Sequence, residues 1–253
     1  YGIGLNNIDI DAATRAGMFV VNLPTYCVDE VATHAVALLL ACNRMIVRFD
    51  ADVKRHVWDF QLHMPIIGLP DSTVGIVAFG NIAKSFARKM RAFGPRLVVY
   101  DPFVSPDSIR QEGAIPVSFD ELLATSDFIS LHAPLTQSTK WMIGERELKM
   151  MKKNCFLINT SRGGLIDEGA LYRALSQGWI AGAGLDTTEP EPPEWSNPLI
   201  GLDNVIITPH AAFYSDKSLK ELHSVAIQEA IRVIKGQRPD VIVNKDVVPR
   251  KVV

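Results

Sequence analysis

The chain of 253 residues carries almost no net charge, with 28 acidic side chains against 26 basic ones for a formal −2. A protein without a basic surplus lacks the electrostatic term that draws proteins to phosphate backbones or anionic lipid, so neither a nucleic acid nor a membrane is expected as a direct partner. Long apolar runs are also missing. The longest, Ala35 to Cys42, has eight residues between His34 and Asn43, far from the roughly 20 that span a bilayer, and reads as a buried helix. Cysteine is scarce. Cys27, Cys42 and Cys155 are odd in number, form no C-x-x-C pair and sit in apolar stretches, which excludes a disulfide framework and fits reduced thiols in the cytoplasm. No cysteine or histidine spacing suggests a metal site, and no nucleophile elbow appears. No signal peptide, lipidation motif, internal repeat or low-complexity segment is visible in these residues. The chain opens at Tyr1, on a loop-like Y-G-I-G without an initiator methionine. An N-terminal part is therefore expected to be missing.

What is present is a 47% hydrophobic composition in a chain long enough for about one large or two small domains. Short β-rich runs alternate with helical patterns: Thr73 to Ala78, Leu97 to Tyr100, Phe128 to Leu131, Cys155 to Asn159, Ala181 to Leu185 and Val205 to Thr208. That alternation predicts an α/β fold, a doubly wound parallel sheet covered by helices on both faces. A long helix is expected over Asp29 to Phe49 and another over Ser215 to Lys235, closed by Gly236. Ser118-x-x-Glu121 opens an intervening helix as a capping box, and Gly178 stops another after Gln177. Residues 1–24, with helix-like Asp9 to Arg15 and strand-like Phe19 to Asn22, resemble the end of a separate lobe.

The first strand runs directly into a helical pattern through T-V-G-I-V-A-F-G-N-I-A. Set against G-x-G-x-x-G/A, the turn reads Ala78-Phe79-Gly80-Asn81-Ile82-Ala83, so the first glycine is lost. Gly80 still lets a pyrophosphate approach the backbone, and the helix N-terminus offers free N–H groups and a positive dipole end. Small residues closing an ordinary βα turn would look the same. The second strand, however, ends at Asp101, 21 positions after Gly80. An acid there accepts hydrogen bonds from an adenosine ribose and repels a 2′-phosphate, which favours NAD over NADP.

Three more segments fall at carboxyl ends of strands, where open α/β sheets bind ligands. They are Ser161-Arg162-Gly163-Gly164, the acid-rich Asp186 to Glu194, and Thr208-Pro209-His210. An arginine fork matches a carboxylate, a nearby acid can hold and charge an imidazole, and histidine moves protons near neutral pH. That set suits a 2-keto or 2-hydroxy acid. A surface salt bridge for Arg162, a solvated E-P-E-P-P-E loop around Glu191 and a satisfied core or cap His210 are the plainer alternatives. Together they require three coincidences at strand ends.

The segments Y-G-I-G-L-N-N-I-D, A-F-G-N-I-A, Y-D-P, L-H-A-P-L-T-Q-S-T, I-N-T-S-R-G-G-L-I-D-E-G-A-L, G-A-G-L-D, E-P and T-P-H occur in the order and spacing of the D-isomer-specific 2-hydroxyacid dehydrogenases, which the chain resembles over essentially its whole length. The resemblance implies a seven-stranded Rossmann domain over 25–210 and remnants of a smaller flavodoxin-like catalytic lobe built from both chain ends, 1–24 and 211–253. It implies hydride transfer between NAD(H) and a D-2-hydroxy or 2-keto acid. Arg162 would bind the substrate's carboxylate and carbonyl, His210 would donate and accept the proton, and Glu191, chosen over Glu189 and Glu194 because it precedes Pro192 of the E-P pair, would orient His210. Cofactor positions would be Ala78, Gly80, Asn81 and Ile82 at the pyrophosphate turn, Asp101 on the ribose, Asp186 on the nicotinamide carboxamide, and His132, Thr136 and Thr160 along the neighbouring edge. Ile3 and Gly4 would cradle the substrate carboxylate through their N–H groups.

Two departures stand out: Ala78 implies a displaced turn with weaker NAD binding, and most of the first lobe is lacking. Phe213, three residues past His210, resembles the C-terminal-binding-protein corepressor branch, where a tryptophan lines the substrate pocket; packing between lobes is the alternative. An NAD-sensing binding protein with little turnover is the second reading of the whole chain. The Ala- and Leu-rich helix over Val36 to Cys42 suggests a homodimer interface.

Overall fold

The computed structural model describes residues 2–64 and 66–250. Tyr1, which opens the Y-G-I-G segment, Pro65 and residues 251–253 of the tail lie outside the described residues. The chain divides into two compact units, residues 31–212 and residues 2–30 with 213–250.

The larger unit is built on strands β1 (Thr73–Val77), β2 (Arg96–Tyr100), β3 (Ile115–Pro116), β4 (Phe128–Leu131), β5 (Phe156–Asn159), β6 (Gly182–Leu185) and β7 (Val205–Ile207), ordered β3-β2-β1-β4-β5-β6-β7. All neighbours run parallel. Order reverses between β1 and β4, which opens the crevice where doubly wound sheets take a ligand. The two-residue β3, ending in proline, is too short to leave a periodicity in sequence.

Helices cover both faces because alternate strand residues point to opposite sides. Val74 and Ile76 of β1 join a core layer containing Leu39, Phe86 and Met90, whereas Val77 joins the opposite layer with Leu123, Leu148 and Leu171. In chain order the helices are α1 (Ile10–Arg15), α2 (Val28–Asn43) and α3 (Ile46–Lys54) before β1, then α4 (Asn81–Arg91), α5 (Pro106–Gln111), α6 (Phe119–Thr125), α7 (Glu145–Met150) and α8 (Glu168–Ser176) among the strands, and α9 (Asp216–Ile234) after β7. Ser118 Oγ accepts the Glu121 N–H at 3.2 Å to start α6, and Gly178, at φ 67°, follows the end of α8.

The single helix expected over Asp29 to Phe49 is two helices. Met45 takes a left-handed φ of 52° with its side chain against the core, and the chain bends by 55° between α2 and α3. Among the described residues no single helix is long and apolar enough to cross a membrane. The Val36 to Cys42 stretch also corrects the interface expectation. Leu38, Leu39 and Cys42 are buried within their own chain, and a Cβ at Gly184 of β6 would stand only 3.1 Å from Leu38 Cβ and 3.3 Å from Cys42 Sγ. The helix is apolar because it lies directly on the sheet. All three cysteines are buried and unbridged.

In the smaller unit α1 is capped by Asp9, which accepts the Ala12 N–H at 2.8 Å. Phe19 to Asn22 forms no strand. Val20 donates to Asn244 Oδ1 at 2.8 Å and accepts from the Val243 N–H at 2.9 Å, a pairing too brief for a ladder. Ser215 caps α9 by accepting the Ser218 N–H, while Ser218 Oγ accepts the Ser215 N–H in return.

Candidate active site

At the carboxyl end of β1, Ala78 supplies the turn by itself entering the left-handed region, at φ 67°, with its N–H donated to Tyr100 O at 2.8 Å. For an L-residue this conformation costs about 1–2 kcal/mol, and it lets alanine make the turn where a glycine was expected. Asp101 secures it. Its Oδ2 accepts the Phe79 N–H at 2.7 Å and its Oδ1 the N–H groups of Phe103 and Val104 at 2.7 and 3.1 Å, so one carboxylate ties the β1 turn to the loop after β2. Gly80 is the N-cap of α4 and contributes no capping side chain, leaving the first-turn N–H groups at Asn81 and Ile82 without one. Apart from its own chain neighbours, no atom of the described residues lies within 4 Å of where a Gly80 Cβ would stand. A dinucleotide's pyrophosphate fits this open helix end.

His132, just past β4, keeps Nε2 2.9 Å from Ser130 Oγ and its ring 5.1 Å from that of Phe86. Burial pushes its pKa down to about 3, so the imidazole is neutral. Thr136 is exposed and clusters with the hydroxyls of Ser138 and Thr139, each 3.0 Å away. Thr160, at the end of β5, is buried, and its Oγ1 has no hydrogen-bond partner among the described residues.

Arg162 follows β5 in an extended conformation, its carbonyl accepting from Asn159 Nδ2 at 2.8 Å and its Nη1 donating to Ser161 O at 2.6 Å. The glycine after it sets the approach of the next loop. A Cβ at Gly163 would fall 2.1 Å from the Thr188 carbonyl carbon, so only glycine lets residues 186–191 lie against the Arg162 turn. In that loop Glu191 Oε1 accepts the Thr188 N–H at 3.2 Å, and Oε2 lies 2.7 Å from His210 Nδ1. Glu189 and Glu194 are exposed and engage elsewhere: the Glu189 N–H donates to Glu168, and Glu194 accepts from Ser196.

The hydrogen bond from Glu191 raises the His210 pKa above its ordinary value, with Coulombic help from Glu191 and Asp186 and against partial burial and the charge of Arg162. For Glu191, burial is the largest single influence and pushes its pKa up. The bond and charge of His210, the Thr188 N–H and Arg162 together outweigh it, so the pKa is lowered. Arg162 thus stands close enough to be felt by both partners. This is a hydrogen-bonded imidazole and carboxylate beside a guanidinium, in which the carboxylate favours the protonated ring, a set suited to anchoring an anion and giving a proton to an adjacent oxygen.

His210 has a left-handed φ of 51°. Its N–H donates to Asp186 O at 2.9 Å and to Thr208 O at 3.0 Å. The Asp186 side chain, with no exposed surface, accepts from Thr208 Oγ1 at 2.6 Å and from the N–H groups of Ala211 and Ala212, both at 2.9 Å. Its observed work is to anchor the loop carrying His210; a nicotinamide carboxamide would have to share it. His34 of α2 reaches Thr208 Oγ1 at 2.9 Å. Sequence reasoning missed this contact and the steric role of Gly163. The only sequence signal for His34 was a polar residue opening an apolar run.

Ile3, Gly4 and Phe213 belong to the smaller unit. Ile3 O accepts from Asn22 Nδ2 at 3.1 Å, Gly4 is half-buried, and the Phe213 ring lies 6.4 Å from that of Tyr26 at 56°.

A doubly wound sheet with an open dinucleotide turn and an Arg–Glu–His set across its strand ends defines a nucleotide-dependent oxidoreductase. Residues 36–212 match the family model for the NAD-binding domain of D-isomer-specific 2-hydroxyacid dehydrogenases. The chain is 43% identical over 254 residues to a glyoxylate reductase of Thermococcus litoralis, covering 98% of this chain and 76% of that protein. It is 38% identical over 251 residues to a D-3-phosphoglycerate dehydrogenase of Methanocaldococcus jannaschii, covering 99% of this chain and 48% of that protein. Among solved structures, a D-lactate dehydrogenase from Aquifex aeolicus complexed with NAD and lactic acid superposes with a TM-score of 0.89 at 33% identity, over 96% of this chain and 78% of that one. The chain belongs to the D-isomer-specific 2-hydroxyacid dehydrogenase family. It is an NAD-dependent enzyme of hydride transfer between 2-hydroxy and 2-keto acids, and relatives bearing the names of enzymes do not favour the sensing alternative.

Proposed function

We propose that this enzyme reduces a small 2-keto acid, with glyoxylate the first to test, using His210 as the proton donor, Glu191 as the group that orients and charges it, and Arg162 as the anchor for substrate carboxylate and carbonyl. The observation that carries the reading is the 2.7 Å pair of His210 Nδ1 with Glu191 Oε2 beside Arg162. That bond engages Nδ1, so the ring nitrogen assigned to substrate is Nε2. Arg162 neutralises the carboxylate and stabilises charge developing on the carbonyl oxygen. The cofactor, when bound, supplies or accepts the hydride at its nicotinamide. The N–H groups of Asn81 and Ile82 and the open space over Gly80 would hold its pyrophosphate, and Asp101, with acceptor capacity beyond its three N–H donors, its ribose. The glyoxylate reductase name of a 43% identical relative supports a small keto acid. Steady-state oxidation of NADH, followed by absorbance across a panel of 2-keto acids, is expected to give highest kcat/KM with glyoxylate or a close homologue. Tight NADH binding with no turnover of any 2-keto acid would overturn the reading.

We also infer a homodimer, formed not by the buried Val36 to Cys42 stretch but by residues 46–64. Ile46, Val47, Trp58, Phe60 and Met64 are all exposed there, Trp58 to 89%. Val47 also reaches, with Trp195, Ile200 and Ile207, the apolar wall of a cavity of about 760 Å³ whose other walls include Asp186, Glu191 and His210. Exposed apolar side chains gathered on one segment in this way mark a surface that an interface would cover. A monomer by light scattering at micromolar concentration would refute the dimer. Buried, unbridged cysteines support a reducing compartment such as the cytoplasm.

A further inference from the structure

His34 sits on α2, outside every motif that nominated a site residue, and its side chain is 25% exposed. Its Nε2 lies 2.9 Å from Thr208 Oγ1 and 3.5 Å from Asp186 Oδ1. Hydrogen-bond accounting fixes the direction of this contact. An ionised carboxylate only accepts, so the single hydroxyl proton of Thr208 goes to Asp186 Oδ1, 2.6 Å away. Thr208 is then an acceptor toward His34, whose Nε2 must carry a proton. A directed chain results, from His34 N–H through the Thr208 hydroxyl to the Asp186 carboxylate.

The far end of the chain is the loop bearing His210. Asp186 holds Ala211 and Ala212 through its carboxylate and His210 through its own carbonyl, and His210 is kept in a left-handed conformation that does not persist unless its surroundings enforce it. With Asp186 fully buried, the orientation of its carboxylate depends on these donors, and the Thr208 hydroxyl is the one whose direction is set from outside the loop. The charged groups around His210 are Glu191, Arg162 and Asp186; around His34 the near one is Asp186.

We propose that His34 is a positioning residue for the reaction: by donating to Thr208 it aims the Thr208 hydroxyl at Asp186 and so holds the 208–212 loop in the geometry that pairs His210 with Glu191. The inference rests on His210 acting as the proton donor. It makes His34 a residue whose loss is felt in turnover without touching substrate or cofactor.

The test uses the full chain with NADH and its best 2-keto acid, measuring kcat and KM from acid to alkaline pH and NADH affinity by fluorescence titration. His34→Ala is expected to lower kcat about tenfold, the scale of a sub-ångström misplacement, with NADH affinity within about twofold. The alkaline limb of kcat/KM should move to lower pH as the His210–Glu191 pair loosens. His34→Gln, whose Nε2 stands where the imidazole Nε2 did and still donates, should restore most of kcat and return the limb. Adding His34→Ala to Thr208→Val should cost nothing beyond Thr208→Val alone, because both break the same chain. If His34→Ala does not fold, His34→Asn, too short to reach Thr208, takes its place. Unchanged kcat and an unmoved limb in the knock-out variant, or a loss that glutamine does not rescue, would overturn the proposal. His210→Gln run in parallel separates the two readings: retained turnover there refutes the role of His210 itself, whereas its loss alongside an unaffected His34 variant refutes only the chain.

Discussion

The two sides of the crevice solve one problem with the same device and different surroundings. After β1, Ala78 stands in the left-handed region beside a turn tied by Asp101; after β7, His210 stands in the same region on a loop tied by Asp186. Each aspartate spreads its carboxylate over three protein donors. At Asp101 all three are backbone N–H groups, one from the β1 turn and two from its own loop, the carboxylate is only half-buried, and the space over Gly80 is open. At Asp186 one donor is a side chain relayed to His34, the carboxylate is fully buried, and the loop it holds presents the His210 ring to Glu191. A binding turn needs a shape that admits a ligand and tolerates some play. A proton-transfer loop needs one imidazole held in one orientation, and the low-dielectric burial of its anchor supplies that rigidity.

The sharpest way to break this comparison is at His210. His210→Gln should lower kcat by about 10²–10⁴ while NADH affinity barely moves, as steady-state kinetics and fluorescence titration will report; weaker NADH binding with normal turnover would erase the division of labour. Next, the anchors should differ in thermodynamic weight. Asp186→Asn presents an amide to buried N–H donors and should cost about 2–4 kcal/mol in urea unfolding, whereas Asp101→Asn at its wetter site should cost about 1 kcal/mol. Equal losses would contradict the contrast in burial. Asp101→Ala should in addition narrow the preference for NADH over NADPH, read as a ratio of kcat/KM values.

The pH dependence sharpens it further. Since the bond to Glu191 raises the His210 pKa, imidazolium persists to higher pH than for an ordinary histidine, and kcat/KM for keto-acid reduction should fall as pH rises through that elevated pKa. Glu191→Gln should bring the falling limb to lower pH. The same shift makes the pair's contribution to stability fully present below the unfolded pKa and lost as pH rises through the folded one. An unmoved limb in Glu191→Gln would show that the pair does not govern the profile. The smallest effect is at the binding turn: Ala78→Gly relieves the left-handed alanine and should raise stability by at most about 1 kcal/mol, part of the gain being lost to the freer unfolded chain. Thermal unfolding that shows a clear loss instead would mean the alanine conformation is not strained.

Much of this was legible in the chain. Alternating β-rich and helical runs placed six of the seven strands within a residue or so, because a parallel sheet buried on both faces writes its strands as continuous apolar runs. Arg162, Glu191 and His210 were legible because doubly wound sheets bring strand carboxyl ends together, so three motifs far apart in sequence had to meet. The two-residue β3 and the break at Met45 were not, since neither disturbs a local pattern.

Sequence by itself therefore determined the architecture, the family and the chemical types at the strand ends, all set by local periodicity and by motifs a few residues long. Tertiary structure decided what each side chain touches. It selected Glu191 over two neighbouring glutamates by distance to His210, put the apolar helix over Val36 to Cys42 inside its own core, let Ala78 stand where a glycine was expected, and brought His34 to Thr208 across 174 positions of chain. Such pairings are invisible to any window of sequence, because hydrogen bonds act over about 3 Å and only folding brings their partners that close.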